Sequence, residues 1–308
     1  MEKLYNAQTR MYKGYPTLRK IGVVGKNMES TPFVWNGIDM RMESCYREKP
    51  THAVIRERES GKILSTVGEG EYFYSFYMEN GTAYVLGTKE EEPIKNTIMI
   101  YESTDLINWK GRKLLDNPGW NYFNTSLTKG PDGYVLLIEA NQPFEYSGPG
   151  PYDFTLFFAT SKDMIHWEHM DPALGFSKER YMGGPWFHYS NGWYYLISVT
   201  KLPLKRYTNC IYRTKDFHDW EAGIYNPIMM PDNMDRMISP LAHELTEEDM
   251  QKIATHFNIN NSDIDMCDWR DGKTLMVYNT GNQLGEGYLA EAIYDGSMAE
   301  FLAACFDE

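Results

Sequence analysis

The chain has 308 residues, of which 42% are hydrophobic and 15% aromatic, enough apolar surface to bury a sizeable core. Its formal net charge of -13 and isoelectric point near 5.1 argue against nucleic-acid binding, which rests on Lys and Arg neutralising phosphates. No stretch approaches the length of a membrane span, and the four scattered cysteines form no CxxC pair that would signal zinc or redox chemistry.

In chain order, the first unit carries an Asn36-Gly37 turn, apolar runs at Met40 to Met42 and Ala53 to Ile55, and a decayed corner at Glu59-Ser60-Gly61. The second has Asn80-Gly81, runs at Ala83 to Leu86 and Ile98 to Tyr101, and the box Ser103-Thr-Asp105-Leu-Ile-Asn-Trp109. The third repeats this as Asp132-Gly133, Tyr134 to Ile138, Leu156 to Ala159 and Ser161-Lys-Asp163-Met-Ile-His-Trp167. The fourth has Asn191-Gly192, Trp193 to Ile197, Cys210 to Tyr212 and Thr214-Lys-Asp216-Phe-His-Asp-Trp220. The fifth has Asp271-Gly272, Leu275 to Tyr278, Leu289 to Ile293 and a worn box at Tyr294-Asp295-Gly296-Ser297.

Asn-Gly and Asp-Gly supply the positive φ angles of two-residue hairpins, and short β-branched or aromatic runs bounded by turn residues read as strands. One strand before each turn and one after each box gives four per unit. The box aspartates lie 58 and 53 residues apart, in the range of repeated supersecondary units. The expected fold is all-β, a five-bladed β-propeller of four-stranded antiparallel blades forming a single domain over residues 1-308. The fourth and fifth turns stand 80 residues apart, and the surplus, about 221-262, reads as an insertion with a helix from Leu245 to Phe257 capped by Thr246. A lid or pocket wall is its expected use.

Up-and-down alternation puts the hairpin turns and boxes on one face, and the starts of the innermost strands, the B-C loops and the crossovers on the other. Box aspartates are expected to accept backbone N–H bonds within their own turns, with the tryptophans wedged between blades. Counting back eight to ten residues from each turn glycine reaches Glu29, Glu71, Asn124, Gly183-Gly184 and Asp263, with Asp265 two residues on and expected on the same side of the strand. Glu29, Glu71, Asp263 and Asp265 are therefore the candidate catalytic carboxylates. Glu139, Asn141 and Gln142 in one B-C loop and Asn282 and Gln283 in another, with Asn124, Glu43 and a Trp186 platform, are the candidate sugar-binding groups, because amides match vicinal diols and rings match sugar faces.

Repeated (S/T)xDxxxW boxes with five Asn/Asp-Gly hairpins resemble the five-bladed propeller glycoside hydrolases, the group holding families 43, 32 and 117. The Asn261-Ser-Asp263-Ile-Asp265-Met-Cys267 stretch is similar to a branch described only as glycosidase-like. The resemblance implies an oligosaccharide or glycoside substrate, hydrolysis by carboxylate acid/base chemistry at the axial pocket, exo action and inversion. In the family 43 pattern an aspartate on the first blade is base, one on the second adjusts acidity, and a glutamate on the third is acid. Here those registers hold Glu29, Glu71 and Asn124, so the roles do not transfer. The assignment made from the residues is Asp263 or Asp265 as base or nucleophile and Glu71 as acid. A non-catalytic sugar-binding propeller and a phosphorylase using Arg41, Arg47, Arg180 and Lys201 are the alternatives. No cofactor is called for; an axial Ca²⁺ would suit converging carboxylates, but no spaced ligand motif asks for it. The N-terminal residues lack a signal-like apolar run, so a cytoplasmic location is expected, and the sequence is silent on oligomeric state.

Overall fold

The computed structural model describes residues 15–91, 94–143, 145–147, 154–177, 180–282 and 286–306. The chain is all-β, built from four-stranded antiparallel sets. After β1 (Arg19–Gly25), the first set is β2 (Met28–Trp35), β3 (Ile38–Cys45), β4 (His52–Glu57) and β5 (Ile63–Val67). The second is β6 (Tyr72–Glu79), β7 (Thr82–Glu91), β8 (Ile94–Ser103) and β9 (Lys110–Asp116). The third is β10 (Tyr122–Gly130), β11 (Gly133–Ala140), β12 (Thr155–Ser161) and β13 (Glu168–His169). The fourth is β14 (Met182–Ser190), β15 (Trp193–Leu202), β16 (Arg206–Thr214) and β17 (Trp220–Ala222). Then come β18 (Asn260–Asp268), β19 (Thr274–Gly281) and β20 (Gly287–Tyr294), joined to the fourth set by a single parallel bridge from Tyr207 to Asn260.

Each predicted apolar run falls inside a strand, and at four of the five hairpin turns both residues have positive φ, for example Asn36 at 49° and Gly37 at 78°. The Asp132-Gly133 turn differs, with Gly133 at φ 126°. One expectation is corrected. The last set does not take its fourth strand from beyond its worn box, where the chain instead forms the helix Met298–Ala304. It takes β1, which pairs antiparallel with β20 from Arg19↔Ile293 to Gly25↔Leu289 and so ties the two ends of the described chain together. A helix follows there because Ser297 caps it in a reciprocal box with Glu300, and Phe301 and Leu302 bury into the neighbouring core.

The boxes behave as expected of turn-formers. Asp105 accepts from Ile107 N and Asn108 N, both at 2.8 Å, and Asp163 and Asp216 repeat the pattern. Those bonds hold the three carboxyls below the usual carboxylate range. Trp109, Trp167 and Trp220 pack against cores shared by successive sets.

Contacts of the first strands run β2 to β6, β10, β14 and β18, and β18 touches β2 again. Apolar cores fill the spaces between the first and second, second and third, third and fourth, and fourth and fifth sets. Between the fifth set and the first, the apolar cluster shrinks to Val24, Val277 and Leu289, and buried ions take over. Glu291 pairs with Arg41 at 2.8 Å and Arg58 at 2.7 Å, while Glu43 pairs with Arg41 at 3.0 Å and Arg56 at 3.1 Å. Burial alone would raise the Glu43 carboxyl, but the two guanidiniums and Asn27 hold it below its ordinary value.

Between β17 and β18 lies the helix Glu247–Thr255, shorter than the expected Leu245 to Phe257 but capped by Thr246 as expected, in a capping box with Asp249. The surrounding segment is fastened by fully buried Asp235, which accepts from Lys20 Nζ at 2.9 Å, Tyr278 Oη at 2.8 Å and Asn258 Nδ2 at 2.7 Å. Among the described residues no helix is long and apolar enough to cross a membrane.

Candidate active site

All five first strands are broken at the same level by one extra residue, where the pairing register slips: between Met28 and Ser30, Tyr72 and Ser75, Tyr122 and Thr125, Gly183 and Trp186, and Ser262 and Asp265. Such bulges re-aim side chains. Glu29 (φ 51°), Phe73 (φ 56°), Gly184 (φ 50°) and Asp263 (φ 52°) sit at them in left-handed conformation. For a glutamate or phenylalanine that conformation costs about 1–2 kcal/mol, strain of the kind that gathers at functional sites.

A cavity of about 450 Å³ opens at this level, lined by Glu29, Asn124, Glu139 and Asp263 together with Arg47, Asn260, Ser262 and Asn282. Beneath it a second cavity of about 370 Å³, lined by residues of all five first strands, shares Glu29, Asn124, Gly184 and Asp263 with the first. One side of the mouth is aromatic. Tyr46, Phe73, Phe123, Phe154 and Tyr181 follow one another in ring contacts with centroids 4.6–6.2 Å apart.

Three carboxyl groups meet here, each from a different set. Glu139, at the end of β11, accepts on Oε2 from Asn124 Nδ2 at 3.0 Å and Gly184 N at 2.9 Å, which leaves Oε1 free of those donors. Asp263 accepts from Asn279 Nδ2 at 3.1 Å and lies where a side chain at 184 would go: a Cβ on Gly184 would stand 2.1 Å from its Oδ1. Glu29 accepts from the Tyr46 hydroxyl, whose oxygen takes a 2.8 Å bond from Phe73 N.

Burial among the aromatic rings raises all three. Glu139 is pushed up to about 8 by desolvation and the nearby Asp263 charge, against the two donors on Oε2. Glu29 rises well above its ordinary value from burial, then from Asp263, with Glu139 adding a smaller push. Asp263 is raised by burial and eased by Ser262 and Asn279. The three carboxyls repel one another in this buried pocket, so they titrate as a coupled cluster and are not all ionised together.

The remaining sequence candidates spread out. Asp265, beyond the bulge, lines only the deeper cavity, which Asp263 also lines, and is absent from the mouth. It faces Thr31 and Trp186 in the deeper cavity, and burial lifts it to about 7. Trp186 is buried there as well, so it offers no platform at the mouth. Glu71 lines neither cavity. It precedes β6, accepts from Tyr101 Oη at 2.5 Å between the first two sets, and is lifted to about 7 by burial. Glu43 belongs to the ionic seam, and Asn141 accepts from Asn121 Nδ2 at 2.7 Å outside both cavities. Gln142 also lines neither, and Gln283 lies outside the described residues.

Of the four cations considered for a phosphate cradle, Arg47 alone lines the mouth; it donates to Gly287 O at 2.7 Å. Arg41 is consumed in the seam. Sequence reasoning missed Tyr46, Phe73, Phe123, Phe154 and Tyr181. An eight-residue offset from the turn glycine, the one that finds Glu29 and Gly184, also finds Phe73 in place of Glu71.

No protein-family profile and no curated protein matches this sequence. Solved structures do resemble it. The protein "Xyloglucan PUL GH43B" of Bacteroides ovatus superposes with a TM-score of 0.60 at 13% identity, over 87% of this chain and 52% of its own. The chain thus spans about half the length of that relative. The catalytic domain of the Coprinopsis cinerea GH62 alpha-L-arabinofuranosidase gives 0.62 at 7% identity, over 92% and 98%. The endo-arabinase of Bacteroides thetaiotaomicron VPI-5482 gives 0.58 at 11% identity, over 89% and 96%. The fold is shared with glycoside hydrolases of family 43, as the repeated boxes lead one to expect, and with one of family 62.

Proposed function

We propose that the five sets are the blades of a five-bladed β-propeller closed by β1, and that the protein is a glycosidase working at the mouth of its axis. The observation that carries this reading is the meeting of Glu29, Glu139 and Asp263, from three separate blades, in one partly aromatic pocket whose burial raises all three and lifts Glu139 to about 8, so that they are not all ionised together. Glycosidic cleavage needs that asymmetry: an acid to protonate the departing oxygen and a carboxylate to act on the anomeric carbon or on water.

In this mechanism Glu139 is the general acid. Its Oε2 is occupied by Asn124 and Gly184, so Oε1 carries the transferable proton. Asp263, whose carboxylate is held by Asn279 Nδ2, is assigned as the base or nucleophile. Glu29, fixed by Tyr46, keeps the local potential negative when ionised and holds a proton otherwise. Arg47 and Asn282 supply donors for sugar hydroxyls, and the aromatic side excludes water. Asn260 and Ser262 of β18 stand at one side of the mouth, and exo action is a point to test with defined oligosaccharides. Because arabinanases and arabinofuranosidases share the fold, α-L-arabinofuranosides are the substrates to test first.

The test is hydrolysis of chromogenic furanosides and pyranosides by the wild type, Glu139→Gln and Asp263→Asn. Loss of a general acid slows poor leaving groups by about 10²- to 10⁴-fold and spares activated aryl glycosides. Asp263→Asn should abolish both while sugar affinity survives. Sugar binding with no turnover by the wild type on any substrate would instead make the protein a lectin.

A further inference from the structure

The hairpin that joins β3 to β4 carries a second cluster that the proposed chemistry does not use. Cys45 and His52 are direct cross-strand partners at its base, so their side chains leave the same face of the ladder. Glu48 lies in the loop between them. Cys45 Sγ, a Glu48 carboxylate oxygen and a His52 ring nitrogen all lie within 4.8 Å of one another, and His52 Nε2 stands 3.5 Å from Glu48 Oε2.

We propose that Cys45, Glu48 and His52 form a binding site for a thiophilic divalent metal ion, Zn²⁺ by its chemistry. Tetrahedral zinc bonds sulfur, nitrogen and oxygen at about 2.0–2.3 Å, which sets ligand atoms about 3.3–3.8 Å apart. The His52 to Glu48 distance already matches, and the thiol needs only a small adjustment. The imidazole is set for the role. Its Nδ1 lies 3.0 Å from the Pro50 carbonyl oxygen, which can only accept, so Nδ1 carries the hydrogen and the Nε2 lone pair faces Glu48. That carbonyl-fixed orientation is the usual outer-shell support of a metal-binding histidine.

Cys45 is buried and its sulfur makes only a 3.9 Å contact to the Glu43 carbonyl, whereas the Glu48 side chain is exposed and opens a path for the ion. On binding, the thiol releases its proton to solvent and the thiolate takes the metal; the fourth position is left for water. A thiolate, an imidazole and one carboxylate suit zinc or cobalt, and disfavour the hard, oxygen-seeking Ca²⁺ or Mg²⁺. The ligands bracket Tyr46 and Arg47, the two residues that this hairpin sends to the mouth cavity and to Glu29. An ion here would pin the loop that presents them.

The experiment uses chelator-treated, reduced full-length protein. Co²⁺ titration of the wild type is expected to give a thiolate-to-cobalt charge-transfer band that saturates at one equivalent, and Zn²⁺ should displace the cobalt. His52→Asn, a change at a partly exposed side chain, should weaken Zn²⁺ at least about tenfold, and Cys45→Ser should remove the band. Circular dichroism checks that both variants remain folded. The wild-type band stands as evidence even if Cys45→Ser fails to fold. A stoichiometric excess of Co²⁺ that produces no thiolate band, or zinc affinity that is the same in His52→Asn as in the wild type, overturns the proposal.

Discussion

Gly184 gives the sharpest perturbation of the site, because it is held in place by two independent constraints. At φ 50°, an alanine costs about 1 kcal/mol in backbone conformation alone. Its Cβ would also lie 2.1 Å from Asp263 Oδ1 and 3.0 Å from Val199 Cγ2. Carbon and oxygen tolerate no less than about 3.3 Å, so the carboxylate must retreat by about 1 Å. That retreat breaks the 3.1 Å bond from Asn279 and pulls Asp263 away from Glu139. A displacement of that size costs on the order of 100-fold in rate. Gly184→Ala should therefore lower kcat/KM about 100-fold on any glycoside the wild type cleaves, and lower stability to urea by about 1–2 kcal/mol. Gly81→Ala is the control: it has the same backbone strain at φ 73°, but a Cβ there meets nothing within 4 Å. It should lose the stability and keep the rate. If Gly184→Ala turns over like Gly81→Ala, the placement of Asp263 against Gly184 is wrong.

Two further outcomes follow from the buried charges. Glu291→Gln leaves the Arg58 guanidinium without its 2.7 Å partner in the ionic seam, and urea denaturation should show a loss of about 3–5 kcal/mol; a loss under about 1 kcal/mol would mean that the seam is hydrated. Glu71, Glu139 and Asp265 have folded-state pKa values raised to about 7, 8 and 7, so the native state holds protons that the unfolded chain releases near pH 4–5. Fewer bound protons in the unfolded state means that stability falls as pH rises, from about pH 4.5 to about pH 8. Urea midpoints across that range should decline for the wild type and decline less for Glu139→Gln; a flat or rising wild-type profile would contradict the burial assigned to these groups.

The parts of the fold that are legible in the sequence depend on local chemistry. Asn-Gly and Asp-Gly turns, the aspartate boxes and the Thr246 cap each act within a few residues, and each forms where its residues indicate. Glu29 and Asp263 are reached by counting back from the turns because hairpin register carries that count faithfully. What the count cannot see is the bulge. One extra residue in every first strand moves Phe73, rather than Glu71, to the mouth, and leaves Asp265 in the deeper cavity while Asp263 lines both. Glu43 and Trp186 sit at plausible levels but face a seam and a deeper cavity, outcomes decided by packing between sets that are distant in sequence. The β1 strand was illegible for a related reason: its partner is β20, at the other end of the chain, and no local signal names it. Glu139 was readable as a polar group of the mouth. Its elevation to an acid comes from aromatic neighbours and from Asp263, which only the folded arrangement brings near.

The pH dependence of kcat/KM in wild type and Glu139→Gln, on the same glycoside with a poor leaving group, tests the acid assignment most directly. With Glu139 as the protonated acid, the wild-type rate should fall as pH rises through about 8, and that limb should disappear in Glu139→Gln while the acid limb set by Asp263 remains. An alkaline limb that persists unchanged in the variant would place the catalytic proton on another group.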